Sequence, residues 1–240
     1  MSGRIVLSSY HSIEECLKRN PSRVSKLLIP TRNLTPKLEH LKYLAEKAGV
    51  KIEAHPNPTA DEPVSAILKE YQYTEFEVLV ETLKEELTQD LKPVVLILDG
   101  ITDAHNLGAI LRTAAFMGIG GVILPKDRAA SINEAVFRIA SGGVEYLRIA
   151  QVTNLVSAVK ALKEIGYWSI GFSEHASQGM SELKLDFPPA ILIGNEEKGL
   201  RPLIKENCDF LVKLQTKGGL ESLNASVAAG LAMAWAVKLF

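Results

Sequence analysis

One stretch limits the fold of this chain more than any other: VVLILDGITDAHNLGAILRTAAFMGIGGVILP, Val94 to Pro125. Its two apolar runs, Val94–Leu98 and Gly121–Leu124, have the length and branching of strands buried on both faces. The segment between them, Asn106–Met117, has the length of a helix, with Asn106 placed to cap it and Gly118 just past its end. Strand, loop, helix and strand form the repeating unit of an α/β domain. From Ala104 to Pro125 the only formal charge is Arg112. A charge on so apolar a segment is either paired, as in a buried salt bridge, or used, because a guanidinium is a fixed cation suited to phosphate or carboxylate.

The pattern continues to the C-terminus. A helix is expected over Ser131–Ala140, a strand near Tyr146–Ile149, and a helix over Asn154–Ile165 with Leu155, Val159 and Leu162 on one face. Strands follow at Tyr167–Gly171, Ala190–Ile193 and Phe210–Leu214, with a short helix after Pro202 and a last helix from about Ser222. Alternation of this kind implies a mostly parallel sheet with helices on both faces. Such sheets bind ligands beyond the carboxyl ends of their strands.

Three loops stand at such ends. Asp103–Arg112 (DAHNLGAILR) carries Asn106, Gly108 and Arg112. Ala190–Gly199 (AILIGNEEKG) ends a strand in Gly194 and turns through Glu196 and Glu197. Leu214–Ala228 (LQTKGGLESLNASVA) leads through Gly218-Gly219 to Ser222 and Asn224, at the start of a helix with no charge before Lys238. A helix apolar all round belongs in a core or a subunit interface. The clustered Gly118, Gly120 and Gly121 precede a strand, so they are not the dinucleotide fingerprint, and no phosphate-binding loop of the G-x-x-x-x-G-K-[ST] type is present.

The first part of the chain reads as a smaller α/β module. Strands are expected at residues 4–7, Val24–Ile29 and Val50–Glu53, and helices at His11–Arg19 and Thr35–Ala48. The second helix has Thr35 as cap, Pro36 in its first position and Gly49 beyond its end. Ala54–Pro63 is a proline-rich loop. Thr74–Glu81 fits a strand followed by a helix to Gln89, although Phe76, Leu79, Val80, Leu83 and Leu87 also fit a helix. Residues 1–60 carry an excess of five positive charges, 61–92 an excess of six negative ones, and 93–240 balance. A basic first third points to a polyanion partner or to a solvated surface that happens to be basic.

At 47% apolar and 23% charged residues the chain is an ordinary globular one. The N-terminus has no apolar signal core, and the longest uncharged run, Ser222–Val237, falls short of the roughly 20 residues that cross a bilayer. Cys16 and Cys208 lie far apart, with no metal-ligand spacing, and read as free thiols of a reducing cytoplasm. No metal is expected.

Taken together, N-x-G-x-x-x-R at Asn106–Arg112, G-x-E-x-x-G at Gly194–Gly199 and S-L-N-x-S-V-A at Ser222–Ala228 resemble the three signature motifs of the SpoU (TrmH) family of RNA ribose 2′-O-methyltransferases, in the SPOUT superfamily. The likeness runs in order from about residue 93 to 240. Leu214-Gln215-Thr216 stands where an Ile-Pro-Met-like run is usual, and Ala225 replaces a commoner Val. The first part is similar, more weakly, to the L30e-like domain that precedes the catalytic domain in the bacterial 23S rRNA guanosine 2′-O-methyltransferase subfamily.

The resemblance implies an L30e-like RNA-binding domain over residues 1–75, a connector over 76–92, and a methyltransferase domain over 93–240 with a C-terminal trefoil knot. It implies an obligate homodimer, S-adenosylmethionine as cofactor and RNA as substrate, most naturally 23S rRNA. By the motif match Asn106, Arg112, Glu196, Ser222 and Asn224 form the catalytic constellation. The family's proposed role for the counterpart of Arg112 is to accept the hydroxyl proton, but a guanidinium stays protonated, so its chemistry suits the phosphate beside the target ribose better, with Asn106 and Asn224 holding Arg112 or the substrate and Glu196 ordering the loops. Gly194, Leu214 and Leu223 contact the cofactor, and Arg128 and Arg138 are further RNA contacts. The alternatives are a tRNA ribose methyltransferase on the same scaffold and a non-catalytic RNA-binding homologue.

Overall fold

The computed structural model describes residues 5–216, 218 and 223–239. The chain divides into two units, residues 1–72 with 132–146, and residues 73–131 with 147–240.

In the first unit, strands β1 (Ile5–Leu7), β2 (Val24–Ile29), β3 (Lys51–Ala54) and β4 (Ser65–Leu68) form a sheet in the order β1-β4-β2-β3. β2 and β3 are parallel and are joined by helix α2 (Pro36–Lys47), while β4 runs antiparallel to both its neighbours. The Thr35 hydroxyl caps α2 by accepting the Leu38 N–H, and Gly49 takes φ +67° beyond its end, as the sequence leads one to expect. Helix α1 (Tyr10–Arg19) buries Ile13, Cys16 and Leu17. β4 was not expected. Four residues, SAIL, between a proline-rich loop and an acidic segment are too few to show a period.

Residues 132–146 also belong to this unit. Helix α5 (Glu134–Ala140) starts later than expected because the Asn133 side chain caps it, accepting the Val136 N–H. It ends in left-handed Ser141 and Gly142, where a Cβ on Gly142 would lie 2.7 Å from Cβ of Glu15 on α1. The strand expected near Tyr146–Ile149 begins only at Ile149, and Tyr146 ends a 3-10 turn, Gly143–Tyr146. In that turn the buried carboxylate of Glu145 accepts from Arg23 and Asn20, each at 2.6 Å.

The second unit holds seven parallel strands: β5 (Val95–Asp99), β6 (Gly121–Pro125), β7 (Ile149–Val152), β8 (Trp168–Phe172), β9 (Gln178–Gly179), β10 (Pro189–Gly194) and β11 (Phe210–Lys213). Their order is β7-β6-β5-β10-β8-β11-β9. β5 is buried along its whole length, as its unbroken apolar run requires. From β5 the chain moves outward to β6 and β7, and later returns β10 to the other side of β5. The crevice beyond the ends of β5 and β10 is therefore the switch point of the sheet.

Residues 74–81 are not a strand. Phe76–Thr88 is helix α3, and Thr74 keeps only a single bridge to Ala150. The competing helical pattern wins because it sinks Leu79 and Leu83 fully into the core. Leu79 packs so closely that a Cβ on Gly121 would stand 2.8 Å from its Cδ1. Helix α4 (Ala104–Phe116) is capped by Asp103, which accepts the His105 N–H, and not by Asn106. This places Asn106 inside the first turn and frees its amide. Helices α6 (Leu155–Glu164), α7 (Pro202–Glu206) and α8 (Ala225–Ala236) complete the unit, and α8 packs on α4 and β10.

Asp209, just before β11, accepts from the Ser169 N–H and hydroxyl and from Lys163 at 2.7–2.8 Å. Burial pushes its pKa up, but these donors outweigh burial and hold it below the usual Asp range. Among the described residues no helix is long and apolar enough to cross a membrane.

Candidate active site

Three loops meet at the carboxyl edge of the parallel sheet, and one buried amide joins them. Asn106 donates from Nδ2 to Glu196 Oε1 at 2.6 Å and accepts at Oδ1 from Asn224 Nδ2 at 2.9 Å. Asn224 in turn caps α8, accepting the Ser226 N–H and hydroxyl. The other oxygen of Glu196 accepts from Asn195 Nδ2, which also donates to the Gly100 carbonyl at the end of β5. The expected constellation of Asn106, Glu196 and Asn224 is thus assembled, but its members hold one another and not Arg112. Ser222 lies outside the described residues.

The turn that carries Glu196 is tightly built. Asn195 and Gly199 exchange backbone hydrogen bonds, and Asn195 Oδ1 accepts from the N–H groups of Glu197 and Lys198. A Cβ on Gly194 would lie 2.1 Å from the Gly199 carbonyl carbon. Only glycine fits there.

This turn is one wall of a cleft of about 620 Å³. Gly194, Leu214 and Leu223 all line it, together with Phe172, Ile193 and Ala228, and charged groups come from Glu174, His175, Glu197, Lys198 and Lys205. Asn106, Arg112 and Asn224 do not line it, so the hydrogen-bonded network stands behind the wall that Glu196 forms.

Arg112 is exposed and has no hydrogen-bond or ion-pair partner among the described residues. The buried salt bridge that its apolar setting allowed is not made. Arg128 is exposed in the loop after β6, at φ +58°, with its carbonyl near Gly100. Arg138 is exposed on α5 and belongs to the first unit. Sequence reading missed Asn195, the hinge of the Glu196 turn, and the pair Asp99–Arg201. The one signal for that pair was an aspartate closing an otherwise apolar strand.

A parallel sheet with a ligand-sized cleft beyond the carboxyl ends of β8, β10 and β11 defines an α/β protein with a small-molecule site there. The chain belongs to the SpoU rRNA Methylase family, whose model matches residues 93–234. It is 35% identical over 232 residues to the 23S rRNA (guanosine-2′-O-)-methyltransferase RlmB of Pseudomonas putida, covering 95% of this chain and 94% of that one. It is 36% identical over 230 residues to YacO of Bacillus subtilis, assigned to the TrmH family of tRNA/rRNA methyltransferases, with 93% and 91% covered. The SpoU methyltransferase AviRb of Streptomyces viridochromogenes, solved with AdoMet, superposes with a TM-score of 0.81 at 22% identity, over 99% of this chain and 90% of that one.

Proposed function

We propose that this chain methylates the 2′-hydroxyl of a ribose in 23S rRNA, on a guanosine, with S-adenosylmethionine as methyl donor. The observation that carries this reading is the joining of the three motif loops through Asn106, Glu196 and Asn224 at the wall of one cleft. The names of the relatives and the free guanidinium of Arg112 support it.

The cleft suits the cofactor. Its volume is that of a small-molecule site, and its apolar lining is matched to an adenine and a methionine chain. Gly194 permits close approach of backbone to ligand, and Leu214 and Leu223 supply apolar cover. Lys205 and Glu174 are placed for a carboxylate and an ammonium. When bound, S-adenosylmethionine supplies a sulfonium methyl open to attack by an oxygen nucleophile.

The residues of the chain then divide the work. Asn106 and Asn224 fix the first and third loops against the second, and Glu196 is consumed in the same network, so the cleft wall is rigid before substrate arrives. Arg112 binds the phosphate beside the target ribose, orients its hydroxyl and offsets negative charge. Ser222 completes the constellation. Arg128 and Arg138 extend the RNA contact.

In this reading residues 1–75 are an L30e-like RNA-binding domain, supported by their basic excess. Residues 76–92 connect it to a methyltransferase domain over 93–240 with a C-terminal trefoil knot, supported by the motif order. The enzyme works in the cytoplasm as a homodimer. Support for the dimer comes from uncharged α8, which leaves Val227 and Leu231 exposed, and from Phe116, 83% exposed on α4 beside it.

The test is methyl transfer from labelled S-adenosylmethionine to unmodified 23S rRNA and tRNA. Label on a guanosine ribose of 23S rRNA is expected, with a dimer by light scattering. Label on tRNA alone moves the enzyme to the tRNA reading. RNA binding without transfer makes it a non-catalytic homologue.

A further inference from the structure

Asp99 closes β5 at the carboxyl edge of the parallel sheet and is only 2% exposed. Both of its oxygens are spent on one residue. Oδ2 accepts the backbone N–H of Arg201 at 2.8 Å, and Oδ1 accepts from Nε of the same arginine at 2.7 Å. The Arg201 side chain is nonetheless 51% exposed, and its two Nη nitrogens have no partner among the described residues.

A buried carboxylate needs a hydrogen-bonded cationic partner, and Asp99 has one. The arginine gives up only Nε to that pairing, so its outer fork of N–H groups stays free. Because Nε and the backbone are both held, the fork is aimed before any ligand arrives, and little side-chain entropy remains to be lost on contact.

The place of this clamp matters as much as its geometry. Asp99 is in register with Gly194, and the next residue, Gly100, accepts the Asn195 amide that also holds Glu196. The clamp therefore stands on the same strand ends as the loop network. Arg201 does not line the cleft, whereas Lys205, one turn further on, does. The free fork thus serves something other than the small molecule in the cleft. A rigid, outward guanidinium fork matches a phosphate with two oxygens to offer, and the RNA backbone repeats that group at every nucleotide.

We propose that Arg201, set by Asp99, contacts a backbone phosphate of the RNA next to the modified nucleotide. The inference rests on the RNA methyltransferase reading above and deepens it.

The full chain is tested with unmodified 23S rRNA transcript as probe, comparing wild type, Arg201→Gln and Arg201→Lys. In Arg201→Gln the dissociation constant for the transcript is expected to rise roughly tenfold, the usual loss for one charge-assisted contact. The slope of log affinity against log salt should fall by about one. Affinity for S-adenosylmethionine should stay at the wild-type value. Arg201→Lys should keep the salt slope but bind a few-fold more weakly than wild type, because a point charge replaces the fork. Wild-type RNA affinity and salt slope in Arg201→Gln overturn the proposal. So does a loss of RNA affinity that only follows a loss of cofactor affinity, which would make the clamp a brace for the turn. If Arg201→Gln does not fold, Arg201→Lys with wild-type RNA affinity overturns it. Wild type that neither binds nor methylates the transcript sinks the functional reading, and this proposal with it. An active wild type beside an unaltered Arg201→Gln sinks this proposal alone.

Discussion

The Asn106 amide donates to the Glu196 carboxylate at 2.6 Å across 90 residues of sequence, the shortest link between two of the three motif loops. Its other end accepts from Asn224, so both polar atoms of the amide are engaged within the network. Asn106→Asp replaces that donor with a second carboxylate facing Glu196, and like charges at hydrogen-bond distance disfavour each other. We expect methyl transfer to fall by about two orders of magnitude or more, with a lower melting temperature. Asn106→Ala leaves the bonds unmade and should cost about 1–3 kcal/mol of stability. Thermal melts beside single-turnover rates check both. Wild-type turnover in Asn106→Asp would show that the network has no part in the reaction.

Arg112 supports the opposite expectation, because it is exposed and supports nothing around it. Arg112→Ala should leave stability within about 0.5 kcal/mol of wild type, as for a surface substitution. Methyl transfer should nevertheless drop at least about a hundredfold, the usual scale for losing an electrostatic contact made in the transition state. Arg112→Lys keeps the charge but loses the two-pronged grip, so intermediate activity is expected. Near-full single-turnover rate in the lysine variant would count against that grip.

How much of this was legible in the sequence depends on what kind of signal each part leaves. The buried strands β5 and β6 are unbroken apolar runs and were readable as such. Helix α3 is hidden in the sequence because Thr74–Val80 also alternates like a strand, and only the tertiary fit of Leu79 and Leu83 decides between the two periods. Residues 132–146 follow the α/β rhythm of the second unit yet join the first, through Glu145 with Arg23 and Asn20. Pairings more than a hundred residues apart leave no local trace. The site behaves in the same way. Asn106, Glu196 and Asn224 can be named from their motifs, but capping chemistry points to the wrong role for Asn106, since Asp103, three residues earlier in the same loop, is equally able to cap.

Gly194 offers a steric test of the cleft wall. A Cβ there meets backbone and not a flexible side chain, at 2.1 Å from Gly199 and 2.3 Å from Leu200. The turn can relieve this only by moving. Gly194→Ala should therefore lower the melting temperature and abolish measurable binding of S-adenosylmethionine by calorimetry, and Glu196 should lose its fixed position. Gly199→Ala has room for its Cβ but sits at φ +63°, so it should cost only about 1 kcal/mol and keep binding. If both variants bind the cofactor equally well, the close approach at Gly194 is not what shapes the wall.

Asp209 gives the pH dependence of the fold a specific source. Burial raises its pKa, but Lys163 and the Ser169 N–H and hydroxyl lower it by more, so the folded value lies below the ordinary 3.8. The folded state thus favours the carboxylate, and the unfolded chain binds the proton more readily. Its stabilisation is fully present above the unfolded value and is lost as pH falls through the folded one. Asp209→Asn keeps an acceptor for Ser169 but offers Lys163 no charge. The melting temperature of wild type should exceed that of Asp209→Asn by a constant margin from about pH 7 to pH 5, and the margin should close below about pH 4. Melts across that range decide the matter, with both proteins compared while still folded at the lowest pH. A margin unchanged at pH 3 would mean that hydrogen-bond geometry, and not the charge of Asp209, holds β11 to β8.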